Sequence, residues 1–333
     1  MAKQVLALSQ VLVKEQATFG IAETTLNNTN AAEVESPKLT IGTRVRKMAL
    51  VSGGFSQQRS IIGPREASVS MVYPFRTGNA AASFGAIASA IKACGFKETL
   101  SDTDKDTSND RAIYTPSNKQ SEWKDLTVWG YSGNADTSGA LLRKIANVMG
   151  NGKITLDFNS GVALFNFDGK GILNAEDAVA TQVSITPSAI VCPSLVGSTI
   201  SFFGDTDYDL ISLEFDFGQE VTVTAEPQTA TTGLGQSYIS KRLITWKAKV
   251  YKDASAIPVT TFHAGTTGAI SVAWGTAPNK WTVSTNYAQI DEPPQDSDEN
   301  GIETFDLSGI CVDNDFAIQA DSAVGASTNV EED

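Results

Sequence analysis

Residues 210–225 read LISLEFDFGQEVTVTA, and this stretch decides the fold class. Ile211, Leu213, Phe215 and Phe217 fall on one side of an extended chain, and Ser212, Glu214 and Asp216 on the other. Successive side chains of a strand point to opposite faces, so this is a strand with one apolar and one wet face. Gly218-Gln219 reads as a turn, with Val221 and Val223 continuing into a second strand. The same design recurs on either side. KRLITWKAKVYK (241–252) places Ile244, Trp246, Ala248 and Val250 inward and Thr245, Lys247 and Lys249 outward. KITLDFNSGVALFNFDG (153–169) reads as a hairpin turning at Asn159-Ser160-Gly161. The chain is therefore expected to be mainly β.

One helix stands out over 80–94. Phe84, Ile87, Ile91 and Cys94 form a stripe at spacings of three and four. Gly95 is placed as the left-handed residue that ends the helix, with Phe96 as the apolar contact beyond it. One amphipathic helix beside many strands implies a sheet pair with one end covered by the helix.

With 333 residues, 41% of them hydrophobic, the chain can bury a sizeable core. No run of 18 apolar residues is present, so no transmembrane helix is expected. The opening MAKQVLALSQVLVKEQ lacks the apolar region of a signal peptide, which gives the cytoplasm as the expected compartment. Cys94, Cys192 and Cys311 are far apart and are expected to be small buried hydrophobes. The formal charge of −13 excludes nucleic-acid binding by phosphate neutralisation, which needs clustered Lys and Arg.

The chain contains no GxSxG, no P-loop and no HExxH. His263 is the single histidine and reads as a hydrogen-bonded loop residue. Trp123, Trp129, Trp246, Trp274 and Trp281 would suit a sugar platform, but their alternating surroundings favour core or interface positions. DSDENGI (296–302) has the acid spacing and glycine of a calcium loop, yet Leu307 stands where the bidentate Glu belongs. It reads instead as a hairpin connection, and no metal or cofactor is expected.

Two long polar loops interrupt the strands. VSGGFSQQRSIIGPREA (51–67) joins two strands that a short turn would serve, and loops of that length are functional or ordered by a partner. SDTDKDTSNDR (101–111) reads as a solvated charged loop. The two halves also echo each other in order and spacing. REASVSMVYPFR (65–76) matches KRLITWKAKVYK in pattern, and LTVWGYSG (126–133) matches ISVAWGTA (270–277).

Several ordered stretches carry a resemblance to a known family: LVKEQATFG (12–20), AIKACGF (90–96), YTPSN (114–118), LTVWGYSG and NVMGNGKITLDFNSGVALFNFDGKG (147–171). LISLEFDFGQEV and NGIETFDLSG (300–309) follow in the second half. Together, over 12–312, the chain resembles the tail tube (major tail) proteins of tailed bacteriophages. It departs from them at NVMGNGK, where Ala-Arg-Gly types are common in the family.

The resemblance implies a structural virion protein of the phage tail and not an enzyme, assembled in the host cytoplasm. Its fold would be a tail-tube-type β-sandwich or barrel with one flanking helix. With the internal echo it implies an N-terminal segment (1–36), two tandem tube-type domains (37–178 and 179–320), and a disordered acidic tail (321–333). Rings would stack into a hollow tube, with strands of neighbouring subunits closing a β-barrel around a channel for DNA ejection. Three two-domain chains would make a pseudo-six-fold ring, and six would be needed if the halves are not equivalent. The implied partners are other copies of the chain, the tape-measure protein, and the tail terminator and distal tail proteins. DNA would pass through without specific binding, and no membrane is involved. Gly53, Gly54, Phe55, Arg59, Ile61 and Ile62 are the candidate inter-subunit or inter-ring loop. Glu214 and Asp216 are candidates for the lumen wall, with a solvated outer face as the other reading, and Lys247 and Lys249 would pair with them across a strand. A capsid-decoration or adhesin-like sandwich and a carbohydrate-binding β protein are the rival readings.

Overall fold

The computed structural model describes residues 8–46, 61–77, 84–101, 111–133, 140–185, 190–206, 209–226, 234–252 and 257–322. The first half contains β1 (Leu8–Glu15), β2 (Glu35–Arg46), β3 (Ile61–Pro74), α1 (Gly85–Ala93), β4 (Phe96–Ser101), β5 (Arg111–Pro116), β6 (Leu126–Ser132), β7 (Ala140–Asp157) and β8 (Val162–Ala180). The second contains β9 (Thr199–Phe202), β10 (Leu210–Asp216), β11 (Glu220–Ala225), β12 (Leu234–Lys241), β13 (Thr245–Tyr251), α2 (Ile257–Ala264), β14 (Thr267–Thr276), β15 (Asn279–Ile290), β16 (Gln295–Glu299), β17 (Ile302–Cys311) and β18 (Ala317–Asp321). The protein is mainly β and antiparallel. One 16-stranded sheet holds all strands except β11 and β12, and its path does not close on itself among the described residues.

Strand pairing repeats between the halves. In the first, β1 pairs β6, β6 pairs β7, β7 pairs β8, β8 pairs β3 and β3 pairs β2. In the second, β9 pairs β14, β14 pairs β15, β15 pairs β18 and, at its end, β17, which then pairs β13, and β13 pairs β10. The long bent strands β7 and β8 thus correspond to the broken pairs β15/β16 and β17/β18. The bend in β7 coincides with a left-handed Asn147 (φ 54°) and a register shift against β8 between Ala146 and Met149.

The alternation read from sequence is present in space. Ile211, Leu213, Phe215 and Phe217 are all buried, as are Ile244, Trp246, Ala248 and Val250. One hydrophobic cluster runs from Val11 to Ala320 and crosses between the halves. Phe75 of the first half meets Trp274 and Trp281 of the second edge-on, with ring centroids 5.2 and 5.0 Å apart. In α1 the stripe Phe84, Ile87, Ile91 and Cys94 is buried. Gly95 takes φ +69° and Phe96 is buried beyond it, as the helix stop requires.

Several expectations are corrected. A second helix, α2, occupies a segment that shows no helical stripe and whose Val259, Thr260 and Thr261 are weak helix formers. His263 lies exposed in its last turn, not in a loop. The turn at Gly218-Gln219 and the second strand with Val221 and Val223 are present as expected, and that strand lies outside the main sheet. Gly218 turns left-handed (φ +57°) with Leu243 O where a methyl would sit, and β11 pairs β12 in a separate hairpin. Cys192 is exposed, unlike Cys94 and Cys311. Strand β3 begins at Ile61, so Ile61 and Ile62 are strand residues; Gly53, Gly54, Phe55 and Arg59 lie outside the described residues. Asp321 belongs to β18 and binds Arg111 Nε at 2.7 Å, so it is not part of the disordered tail expected over 321–333; residues 323–333 lie outside the described ones.

Candidate functional site

The site is the polar face of the sheet together with its edges. Strands β2-β3-β8-β7-β10-β13-β17 lie side by side, and β16 pairs the outer side of β17. This makes eight antiparallel strands in a row. Among the described residues, β2 pairs only β3 and β16 pairs only β17, so each presents an unpaired ladder.

The two halves meet inside this row. Residues 153–157 of β7 pair with 212–216 of β10, Leu213 opposite Leu156 and Phe215 opposite Ile154. Backbone bonds extend the ladder at both ends: Phe217 N donates to Gly152 O at 2.9 Å, and Phe158 N donates to Ile211 O at 3.0 Å. Gly152 is required for this approach, since a methyl there would lie 2.5 Å from the Phe217 ring.

Glu214 and Asp216 both lie on the polar face, as their alternation with Leu213 and Phe215 requires. Both charges are already engaged. Glu214 Oε1 accepts an ion pair from Lys153 Nζ at 2.7 Å, across the joint. Asp216 Oδ1 accepts from Asn151 Nδ2 at 2.9 Å and from Gly218 N at 2.8 Å, so it caps the turn. Lys247 stands opposite Glu214 in the β10–β13 register, while Lys249 binds Glu299 at 2.7 Å. The sequence shows Glu214 and Asp216 on one face of a strand; Lys153 and Asn151 come near them only through the β7–β10 register, which no local pattern reveals.

A second contact between the halves is the β11–β12 hairpin, which lies against the first half. Arg242 at its base donates to Ser117 O at 3.1 Å and Gly95 O at 2.8 Å, and also reaches Cys94 O. A cation at the carbonyl end of α1 meets the negative end of the helix dipole. Burial pushes the Arg242 guanidinium below its ordinary pKa, and burial also raises the Cys94 thiol well above its own. Gln219 Nε2 donates to Cys94 O, Asn147 Nδ2 to Gly235 O at 3.2 Å, and Ser237 Oγ to Lys170 O at 3.2 Å.

DSDENGI forms β16 and its turn into β17. Asn300 and Gly301 both have positive φ (53° and 85°), the requirement of a two-residue hairpin turn. Asp298 Oδ2 accepts from Gly301 N at 2.9 Å, Asp296 binds Lys252 at 3.3 Å, and Glu299 binds Lys249. Among the described residues no group of three or more His, Cys, Asp or Glu is placed to hold a metal ion.

A cavity of about 840 Å³ opens between β1, β3 and α1. Burial works against the Lys92 ammonium there, but Glu15 at 2.6 Å and Glu98 at 3.0 Å outweigh it and raise its pKa. Glu98 also accepts from Tyr114 OH at 2.9 Å and Glu15 from Ser89 Oγ at 2.9 Å, so the two carboxylates and the ammonium form one hydrogen-bonded network. Trp246, Trp274 and Trp281 are fully buried and Trp123 Nε1 donates to Ser117 O, so the tryptophans share no exposed face.

No protein-family model matches the chain, and a comparison with curated proteins finds no match.

Proposed function

We propose that this chain is a tail tube protein of a tailed bacteriophage, a structural subunit whose rings stack into the hollow conduit for DNA. The observation that carries the reading is the row of eight antiparallel strands, built from two four-strand units of equivalent pairing and ending, among the described residues, in two unpaired edges. A sheet with an apolar back, a polar front and two open edges satisfies its ladders by closing with other copies of itself into a barrel.

The internal equivalence supports two tandem tube-type domains per chain and a ring of three. Three copies contribute twenty-four strands. At about 4.8 Å between strands and ordinary barrel tilt, the backbone ring is roughly 45–50 Å across. That leaves room for a nucleic-acid duplex after side chains are added. Six copies would double the width and leave a duplex loosely held, which favours three.

The polar face suits passage without binding. Lys153, Lys247 and Lys249 are interspersed with Glu214, Asp216 and Asp306, and Lys153 and Lys249 are held by carboxylates. Paired lysines are poorly available to phosphates, and the net charge of −13 adds repulsion within about 8 Å, the Debye length at physiological salt. The tape-measure protein would fill the same channel before DNA, with terminator and distal tail proteins at the tube's ends. A sugar-binding role is disfavoured by the burial of three tryptophans. Negative-stain microscopy of the concentrated protein tests the reading: hollow rods are expected, and discrete particles alone at every concentration would reject it.

A further inference from the structure

The chain carries, between β7 and β10, one example of the joint that a ring must form between copies. Following the pairing from strand to strand makes the halves correspond residue by residue. Val162–Gly171 of β8 correspond to Ile302–Cys311 of β17, placing Phe165 on Phe305 and Gly169 on Gly309. Lys38–Gly42 of β2 then correspond to Glu214–Gly218, placing Leu39 on Phe215 and Gly42 on Gly218; a register shift against β3 between Glu35 and Lys38 ends the correspondence there. Residues 153–157 of β7 correspond to 295–299 of β16. The unpaired strands β2 and β16 are thus the counterparts of the two strands that pair inside the chain.

From this correspondence we infer that β16 of one copy pairs antiparallel with β2 of the next, with Thr40 opposite Gln295 and Lys38 opposite Ser297. The inference rests on the ring reading above and adds to it the identity and register of the joint. The internal bond from Phe217 N to Gly152 O becomes a bond from Ile41 N to Pro294 O, where a proline suffices because only its carbonyl is used. Leu39 and Asp296 take the places of Phe215 and Ile154, which face each other across the internal joint. Pro37 lies in the register shift of β2 and offers no N–H, so the ladder between copies gains no backbone donor beyond Lys38.

The charges set direction. Inside the chain the lysine is on β7 (Lys153) and the acid on β10 (Glu214). Between copies the arrangement is reversed, with Lys38 on β2 set diagonally to Glu299 on β16. Three carboxylates within five residues of β16 (Asp296, Asp298 and Glu299) oppose pairing of one β16 with another. Head-to-tail closure is left as the favoured arrangement, and the acidic stretch that resembles half a calcium loop acts as the edge that selects it.

Disulfide trapping tests this in the full chain, with exposed Cys192 changed to Ser. Thr40 and Gln295 are both exposed, and they occupy a closely spaced pair that a disulfide can bridge. Thr40→Cys with Gln295→Cys should lose its monomer band on oxidation and run as a covalent trimer. Thr40→Cys with Ser297→Cys, two residues out of register, should remain monomeric on the same gel. Assembled rings in which the first pair fails to cross-link, or the second cross-links equally well, would overturn the register and leave the ring reading standing. Covalent dimers from Thr40→Cys alone would overturn head-to-tail pairing. Failure of the unmodified protein to form any oligomer would reject the ring reading itself and the joint with it. Unchanged circular-dichroism melts confirm that the variants fold.

Discussion

Lys153 Nζ and Glu214 Oε1 lie 2.7 Å apart across the joint between β7 and β10, the place where the halves of the chain become one sheet. The two side chains remain 39% and 28% exposed, so water screens the pair and its coupling should be small. A double-mutant cycle with Lys153→Met and Glu214→Gln, read by urea unfolding, should give at most about 1 kcal/mol and less at high salt. The ladder and the apolar back of the sheet hold the joint, with the ion pair as a minor addition.

Glycine replacements separate close approach from open edge. A methyl at Gly152 would meet Phe217 at 2.5 Å and Phe165 at 2.7 Å, whereas at Gly42 the nearest atom is Glu66 O at 3.7 Å. Gly152→Ala should destabilise the monomer by about 1–3 kcal/mol through overpacking. Gly42→Ala should change it by less than about 0.5 kcal/mol. Thermal or urea unfolding below the concentration of assembly compares the two.

Arg242 should anchor the β11–β12 hairpin. Arg242→Met removes its bonds to Ser117 O and Gly95 O, at a cost of about 2–3 kcal/mol. Hydrogen exchange should show faster exchange of amides in 234–241, while β10 and β13 keep their protection.

Asp125 gives the fold a pH dependence. Burial pushes its carboxyl up to about 6, even though Gly20 N donates to its Oδ2 at 2.8 Å and works the other way. A raised acid favours the folded state when protonated. Its contribution is fully present below the ordinary carboxylate value of about 4 and is lost as pH rises through about 6. Asp125→Asn keeps an acceptor for Gly20 and removes the titration. The variant should match or exceed the parent in melting temperature at pH 7, and the difference should shrink towards pH 4.

Local patterns were legible and long-range pairings were not. The strand at 210–216, the hairpin at 153–169 and α1 with its Gly95 stop follow from periodicity and turn chemistry within a dozen residues. Alternation likewise placed Glu214 and Asp216 on a wet face. Their partners Lys153 and Asn151 lie about sixty residues away in the chain, and only the packed register brings them together. Helix α2 was hidden because its β-branched residues carry no amphipathic stripe. The equivalence of unbroken β7 with the broken pair β15/β16 emerges only from the pairing, since Pro293 and Pro294 interrupt the second copy.

The central claim is that the free edges of one chain are completed by other copies in a closed ring of three. Native mass spectrometry of the smallest assembled species tests it most directly. Three chains of 35.3 kDa give about 106 kDa, and that mass is predicted for the ring on which longer tubes are built. A smallest assembly of six chains, or a chain that stays monomeric under every condition, would contradict the account.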